Sequence, residues 1–128
     1  MDKTTLVEKT IKNGRQLIEE LDKTEFDVCG ALWFYLTDGD EWRLIIASAY
    51  ADINGPKKSY EFIQNKMKKL PKDFDIPLSD ITVLSPKDEL IRLLRIAIRT
   101  KKSISGIRFT RNVINNKLIE DAYIYRLM

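Results

Sequence analysis

The chain has 128 residues, of which 32% are charged and 44% hydrophobic, as is typical of one globular domain with a single core. It contains no histidine, which excludes a Ser-His-Asp triad and most zinc sites, and its one cysteine, Cys29, excludes an internal disulfide. Residues 1–64 hold 8 basic and 12 acidic side chains and residues 65–128 hold 14 and 7, so the net charge of +3 comes from a basic C-terminal half.

The same features predict a cytoplasmic protein. The start from Met1 to Thr5 leads into a charged helical pattern rather than an apolar signal core, so we expect no secretory signal. No apolar run approaches the length of a membrane span, and the lone Cys29 fits a reducing compartment.

A first helix is predicted from about Thr5 to Leu21. Thr5 and Glu8 have the spacing of a capping box, in which each side chain satisfies a free amide of the first turn. Apolar or small side chains recur at alternating steps of four and three, at Val7, Ile11, Gly14, Ile18 and Leu21. This period predicts one buried stripe that lies on a sheet.

A β-hairpin follows, from Val28 to Leu36 and from Trp42 to Ala49. Aromatic and β-branched residues fill both runs, and Asp38-Gly39 between them suits the positive φ angles of a tight turn. Both runs are apolar on both faces, which predicts a central position with each face covered.

The chain then alternates between helix and strand. A turn over residues 52–56 opens a second helix with Pro56 at its first position, and Pro71 ends it before a surface loop that extends to Asp80. Ile81 to Leu84 is a short strand. Ser85 is suited to the N-cap and Pro86 to the first position of a third helix. This third helix is predicted to be the most deeply buried of the three.

The last two predicted strands run from Ile104 to Phe109 and from Lys117 to Leu127, with left-handed asparagines between them. Gly106 predicts a bulge or a close approach of backbone. The order α-β-β-α-β-α-β-β predicts a single α+β domain, residues 1–128, with three helices on a mixed, mostly antiparallel sheet of about five strands.

Basic residues recur along the third predicted helix, and others follow on the next strand. If the helical period continues through residue 102, the basic residues of the helix form one stripe. This stripe converges with the basic residues of the strand if the helix packs beside that strand. Such a row can bind phosphates or carboxylates, although a solvated helix face has the same pattern. The candidate anion-binding residues are Arg92, Arg95, Arg99, Lys102, Arg108 and Arg111.

Two further groups have a pattern with chemical meaning. Tyr123 and Tyr125 share one strand face, where they either stack bases or belong to the core. Glu41 and Arg43, with Asp38 or Asp40 before them, are similar to a metal-nuclease pattern in which lysine stands where this chain has arginine. Arginine does not readily release a proton, which weakens the nuclease interpretation.

Three segments resemble a family of small uncharacterised bacterial proteins, namely Glu41 to Ser48, Ile104 to Phe109 and Ile119 to Leu127. The resemblance extends over most of the chain and implies a bacterial cytoplasmic protein, without implying an activity.

The leading hypothesis is a binding or interaction module whose basic C-terminal half takes an anionic partner, with nucleic acid as one candidate. It requires no catalytic residue, metal, cofactor or membrane, and an enzyme is the less favoured class. Two alternatives stay open. One is a metal-dependent, nuclease-like phosphodiesterase that uses Asp40 and Glu41, and the other is a homo-oligomeric protein without a ligand.

Overall fold

The computed structural model describes residues 5–128, so most of the start from Met1 to Thr5, on which the expectation of no secretory signal rests, lies outside the described residues. The chain forms an α+β fold in the predicted order α-β-β-α-β-α-β-β. The helices and strands are α1 (Glu8–Asp22), β1 (Val28–Leu36), β2 (Glu41–Ser48), α2 (Ala49–Met67), β3 (Ile81–Leu84), α3 (Glu89–Ala97), β4 (Ile107–Ile114) and β5 (Lys117–Leu127), with a 3-10 turn at Leu78–Asp80.

One mixed sheet contains all five strands, in the order β3-β2-β1-β5-β4. The pairs β1–β2, β1–β5 and β4–β5 are antiparallel, and β2–β3 is parallel because α2 carries the chain back between them. Strand β1 is therefore central, as its two apolar faces predict.

Two apolar clusters lie on opposite faces of this sheet. On one face α1 and α2 pack over a cluster that includes Leu17, Trp33 and Ile46. On the other face Ile91 and Leu94 of α3 pack over a second cluster. Burial of both faces explains why the first hairpin is apolar on both sides.

The turn of the first hairpin differs from the predicted one. Leu36 pairs with Glu41, which leaves a four-residue loop, and its left-handed residue is Asp40, with φ 50°, rather than Gly39. The hydroxyl of Tyr35 is hydrogen-bonded to the Asp40 carboxylate and supports this conformation. Aspartate tolerates positive φ, so a glycine is not required there.

The first two helices begin at other residues than predicted. Helix α1 begins at Glu8, and its N-cap residue Val7 makes no side-chain cap, so the predicted capping box at Thr5 is wrong. Helix α2 begins at Ala49, where the Ser48 hydroxyl accepts a hydrogen bond from an amide of the first turn. The predicted turn survives inside α2 as a kink at Gly55, which has φ 83°.

Helix α3 is shorter and less buried than predicted. Ser85 and Pro86 form a turn, and Asp88 caps the helix by accepting from the Leu90 amide at 2.9 Å. The helix ends at Ala97, and within it only Ile91 and Leu94 are fully buried. Because α1 buries five residues, the expectation that α3 is the most deeply buried helix is wrong.

The last hairpin has left-handed residues at its tip and in the middle of β4. Strand β4 begins at Ile107 rather than Ile104, and Asn115 and Asn116 have positive φ, as the asparagine pair predicts. Arg111 also has positive φ, at 48°, in the middle of β4. Beyond Arg111 the tip of the hairpin packs with α3, where Ile114 is buried in the second cluster.

Candidate anion-binding groove

The structure does not place the predicted basic stripe on one helix face. Helix α3 ends at Ala97, so Arg99 and Lys102 lie in the irregular segment after it. Arg92 is exposed, whereas Arg95 folds back and donates to the Pro86 carbonyl at 3.2 Å. The predicted continuous helical face is therefore wrong, because extended backbone at Ile98 ends the helix.

The two arginines of β4 already have carboxylate partners on β5. Arg108 binds Asp121 through two hydrogen bonds, of 2.7 and 2.6 Å, and Arg111 lies 3.3 Å from Glu120. Burial raises the pKa of Asp121, but hydrogen bonds from Arg108 and Thr110 outweigh it and hold that pKa below its usual value. Both arginines are therefore partly neutralised by their own hairpin.

The six predicted residues also do not converge on one rim. The Arg108 guanidinium lies 5.6 Å from the ring centroid of Trp42, which belongs to the cluster under α1 and α2. Arg92 and Arg95 lie on α3, which covers the opposite face. Whether any of the six binds an anion stays a prediction.

A different basic site lies between α1 and β5. It is a groove of about 570 Å³, which we call the α1–β5 groove, lined by Glu8, Lys9, Ile11, Lys12, Arg15, Ser105, Tyr123 and Tyr125. A volume of this size is typical of a ligand site. Beside it lies a second hollow of about 480 Å³, the adjoining hollow, lined by Arg15, Glu19, Asp22, Lys102, Ser103, Ile104 and Arg126. Arg15 lines both, so the two lie side by side along α1, and we call them together the channel.

The floor of the groove is held in place by a buried hydrogen-bond chain. The Trp33 indole donates to the Tyr125 hydroxyl at 3.0 Å, and that hydroxyl donates to the Ile11 carbonyl of α1 at 2.6 Å. Burial raises the pKa of Tyr125 far above its ordinary value, so the hydroxyl keeps its proton. This chain fixes the distance between α1 and β5.

The other wall of the groove is the segment before β4, which is attached to β5. The Ser105 amide donates to the Tyr125 carbonyl at 2.7 Å, and the Thr100 amide donates to the Leu127 carbonyl at 2.7 Å. The segment that carries Lys102 is therefore anchored on both sides, although it has no regular secondary structure.

Two cations of the channel have no ion-pair partner among residues 5–128. Lys9 lies 3.1 Å from Asp75, and Arg15 lies 3.9 Å from Glu19, so both are partly neutralised. No ion pair of this kind forms at Lys12 or Lys102, and both side chains are exposed. An anion in the channel would meet these two charges first.

The sequence interpretation missed Lys12 and Arg15 because they belong to the acidic half of the chain. A signal was present in the spacing of α1. Its polar side chains recur at steps of four and three beside the apolar stripe, at Glu8, Lys12, Arg15, Glu19 and Asp22. The tyrosines, by contrast, share a face as predicted, and Tyr125 belongs to the core.

Two acidic residues of the first hairpin, Asp40 and Glu41, have partners within it. Asp40 is hydrogen-bonded to Tyr35, and Glu41 lies 3.7 Å from Arg43. Arg43 in turn donates to the Thr82 hydroxyl at 2.7 Å and links β2 to β3. Within residues 5–128 no three His, Cys, Asp or Glu side chains are grouped so that they could hold a metal ion. Both acids of the nuclease alternative are therefore already engaged within the first hairpin.

Cys29 is half-buried in the second apolar cluster. Its thiol donates to the Ala47 carbonyl at 3.4 Å, and burial raises its pKa despite the nearby charge of Arg95. A raised pKa lowers the fraction of thiolate, which is the nucleophilic form. The contacts of Cys29 are therefore those of a packing residue.

Comparison with protein-family models, with curated proteins and with solved structures finds no match to the chain. The resemblance to small bacterial proteins consequently stays a prediction. None of the helices in residues 5–128 combines the length and the apolar character needed to cross a membrane.

Proposed function

We propose that the protein is a non-enzymatic binding module that holds an anionic ligand in the channel along α1. The observation that carries this proposal is the α1–β5 groove, whose one wall presents Lys12 and Arg15 over a floor of two tyrosines. Lys102 adds a further cation in the adjoining hollow. Positive charge that is concentrated in a concave site attracts anions more strongly than the same charge on a convex surface.

The channel is a better candidate than α3 for a geometric reason. Arg92 is exposed on a short helix, and Arg95 is already bonded to the Pro86 carbonyl. The channel, in contrast, supplies cations from two walls that are fixed relative to each other by the Tyr125 hydroxyl and the Ser105 amide. Walls whose backbone is already held in place need not be ordered when a ligand binds, which lowers the entropic cost of binding.

The first test uses a short, labelled oligothymidylate as the polyanion and measures its binding by fluorescence anisotropy. We expect the double variant Lys12→Ala, Lys102→Ala to bind about tenfold more weakly, because two exposed charge contacts of about 0.7 kcal/mol each are lost. The slope of log affinity against log salt should fall by about 0.7 for each lost contact.

Two double variants with the same loss of charge serve as controls. Lys57→Ala, Lys58→Ala removes exposed charges of α2 that line neither groove nor hollow, and should leave the affinity unchanged. Arg92→Ala, Arg99→Ala tests the arginines after β3. If this second control weakens binding and the channel variant does not, the site lies at α3; if wild-type protein does not bind, the proposed function is wrong.

One surface feature favours the homo-oligomer alternative. Val113 and Leu118 form a cross-strand pair on the edge hairpin and are 65% and 59% exposed. Exposed apolar side chains beside an unpaired strand edge are typical of contacts between copies. Sedimentation velocity distinguishes this alternative, since it requires a dimer or larger species in the absence of any ligand.

A further inference from the structure

We infer that the anionic ligand of the channel is a single-stranded nucleic acid, with one base stacked on Tyr123 and its neighbouring phosphates at the cations of α1 and Lys102. This inference rests on the proposed function and adds the chemical class of the ligand. It follows from three features of the channel, which are the position of Tyr123, the way its ring is held, and the arrangement of charge along α1.

Tyr123 is the aromatic residue that the groove leaves available. Its ring centroid lies 5.5 Å from that of Tyr125, and the two planes are inclined by 74°, so the rings meet edge to face. Tyr125 is buried, whereas Tyr123 is only partly buried and lines the groove. A partly exposed aromatic ring on the floor of a basic groove is the arrangement on which single-strand binding proteins stack bases.

The ring is held in place by the backbone beside it. The Tyr123 hydroxyl lies against Gly106, where a Cβ atom would come within 3.2 Å of Tyr123 Cζ and still closer to the hydroxyl. This is the close approach of backbone that the glycine predicts. Because the Ser105 amide is bonded to β5, Gly106 and the ring cannot easily separate. The position of the ring is therefore set before a ligand binds.

The charges along α1 suit a short strand. Lys12 and Arg15 are one helical turn apart, a rise of about 4.5 Å, which is compatible with contacts to one or two neighbouring phosphates. Glu8 and Glu19 flank them on the same helix and disfavour further phosphates in either direction. The wall therefore fits a few nucleotides rather than a long polyanion.

A duplex does not fit these features. Its bases are stacked on one another, so none of them presents a face to a ring on the floor of a groove. Single strands expose base faces, and every base has one, which predicts binding with little sequence preference. We therefore expect the channel to bind a single strand more tightly than either a duplex or a polyanion without bases.

The decisive experiment compares two labelled DNA strands with equal numbers of phosphates, an oligothymidylate and an abasic strand of the same length, on the full wild-type chain. We expect the oligothymidylate to bind about tenfold more tightly, because one stacked base contributes an effect of that order. Equal affinities that both depend on Lys12 and Lys102 would overturn this inference and leave the proposed function intact. If neither strand binds, both this inference and the proposed function are wrong.

Variants of the ring supply the second readout. Tyr123→Leu should reduce the ratio of the affinities for the two strands from about ten to about one, since a leucine offers no π face. Tyr123→Phe is the matched control and should keep the difference, because it retains the ring and loses only the hydroxyl. If Tyr123→Leu is folded, as judged by circular dichroism, and still prefers the oligothymidylate, the base does not stack on this residue.

Discussion

Replacing Asp22 with alanine should lower the free energy of unfolding by about 3 kcal/mol, the lower end of the range for breaking a buried ion pair. Asp22 accepts two hydrogen bonds from Arg126, of 2.9 and 2.8 Å. The Arg126 side chain is 2% exposed and that of Asp22 is 25% exposed. Without the carboxylate, the buried guanidinium would keep only its hydrogen bond to the Val28 carbonyl, at 3.0 Å.

The burial of Arg126 decides the size of this effect. An exposed ion pair contributes at most about 1 kcal/mol, because water replaces the partner. Arg126 also has its Nε atom buried without a hydrogen-bond partner, so this guanidinium has already lost part of its hydration. Urea denaturation of wild-type protein and Asp22→Ala measures the difference.

The double variant Asp22→Ala, Arg126→Met separates charge from packing. If the cost comes from an unpaired charge, removing the guanidinium as well should recover part of the lost stability. A loss below about 1 kcal/mol in Asp22→Ala would contradict the prediction and would mean that Arg126 reaches water through the adjoining hollow.

Gly14→Ala should lower the free energy of unfolding by about 2–4 kcal/mol, although alanine favours helix by about 1 kcal/mol over glycine. A Cβ atom at position 14 would lie 2.8 Å from Trp33 Nε1 and 3.0 Å from Tyr125 Cζ, and closest to the Tyr125 hydroxyl. Both side chains are fully buried and cannot move aside. Displacing them would also break the hydrogen bond between them, at a further cost of about 1–3 kcal/mol.

The double variant Gly14→Ala, Tyr125→Phe tests this explanation by thermal or urea denaturation. Removing the hydroxyl relieves the tightest contact, so the two substitutions together should cost less than the sum of the single costs. Additive costs, or a Gly14→Ala protein as stable as wild type, would show that α1 moves away from the sheet without loss.

Local signals in the sequence were sufficient for most of the fold. The asparagine pair at residues 115 and 116 and the bounds of β3 and β5 are as predicted. The start of α3 was not predicted correctly, because both Ser85 and Asp88 are residues that favour the N-cap position. The structure uses Asp88, while Ser85 closes the turn before it by accepting from the Asp88 amide at 3.0 Å.

The candidate site depends on contacts that no local pattern contains. Lys12 and Lys102 are far apart in the sequence and belong to halves of opposite charge, so charge counts place them in different regions. They come to one channel because the Tyr125 hydroxyl binds the Ile11 carbonyl of α1, while the Ser105 amide binds the Tyr125 carbonyl. Both are long-range contacts of one strand residue.

The sequence by itself determined the order of helices and strands, the central position of β1 and the shared face of Tyr123 and Tyr125, because these follow from periodicity and turn chemistry within a few residues. Only the tertiary structure decided the strand order, the early end of α3 and the neutralisation of Arg108 by Asp121. These depend on which faces pack together, and a pair of charges or a groove exists only after distant segments have been brought into contact.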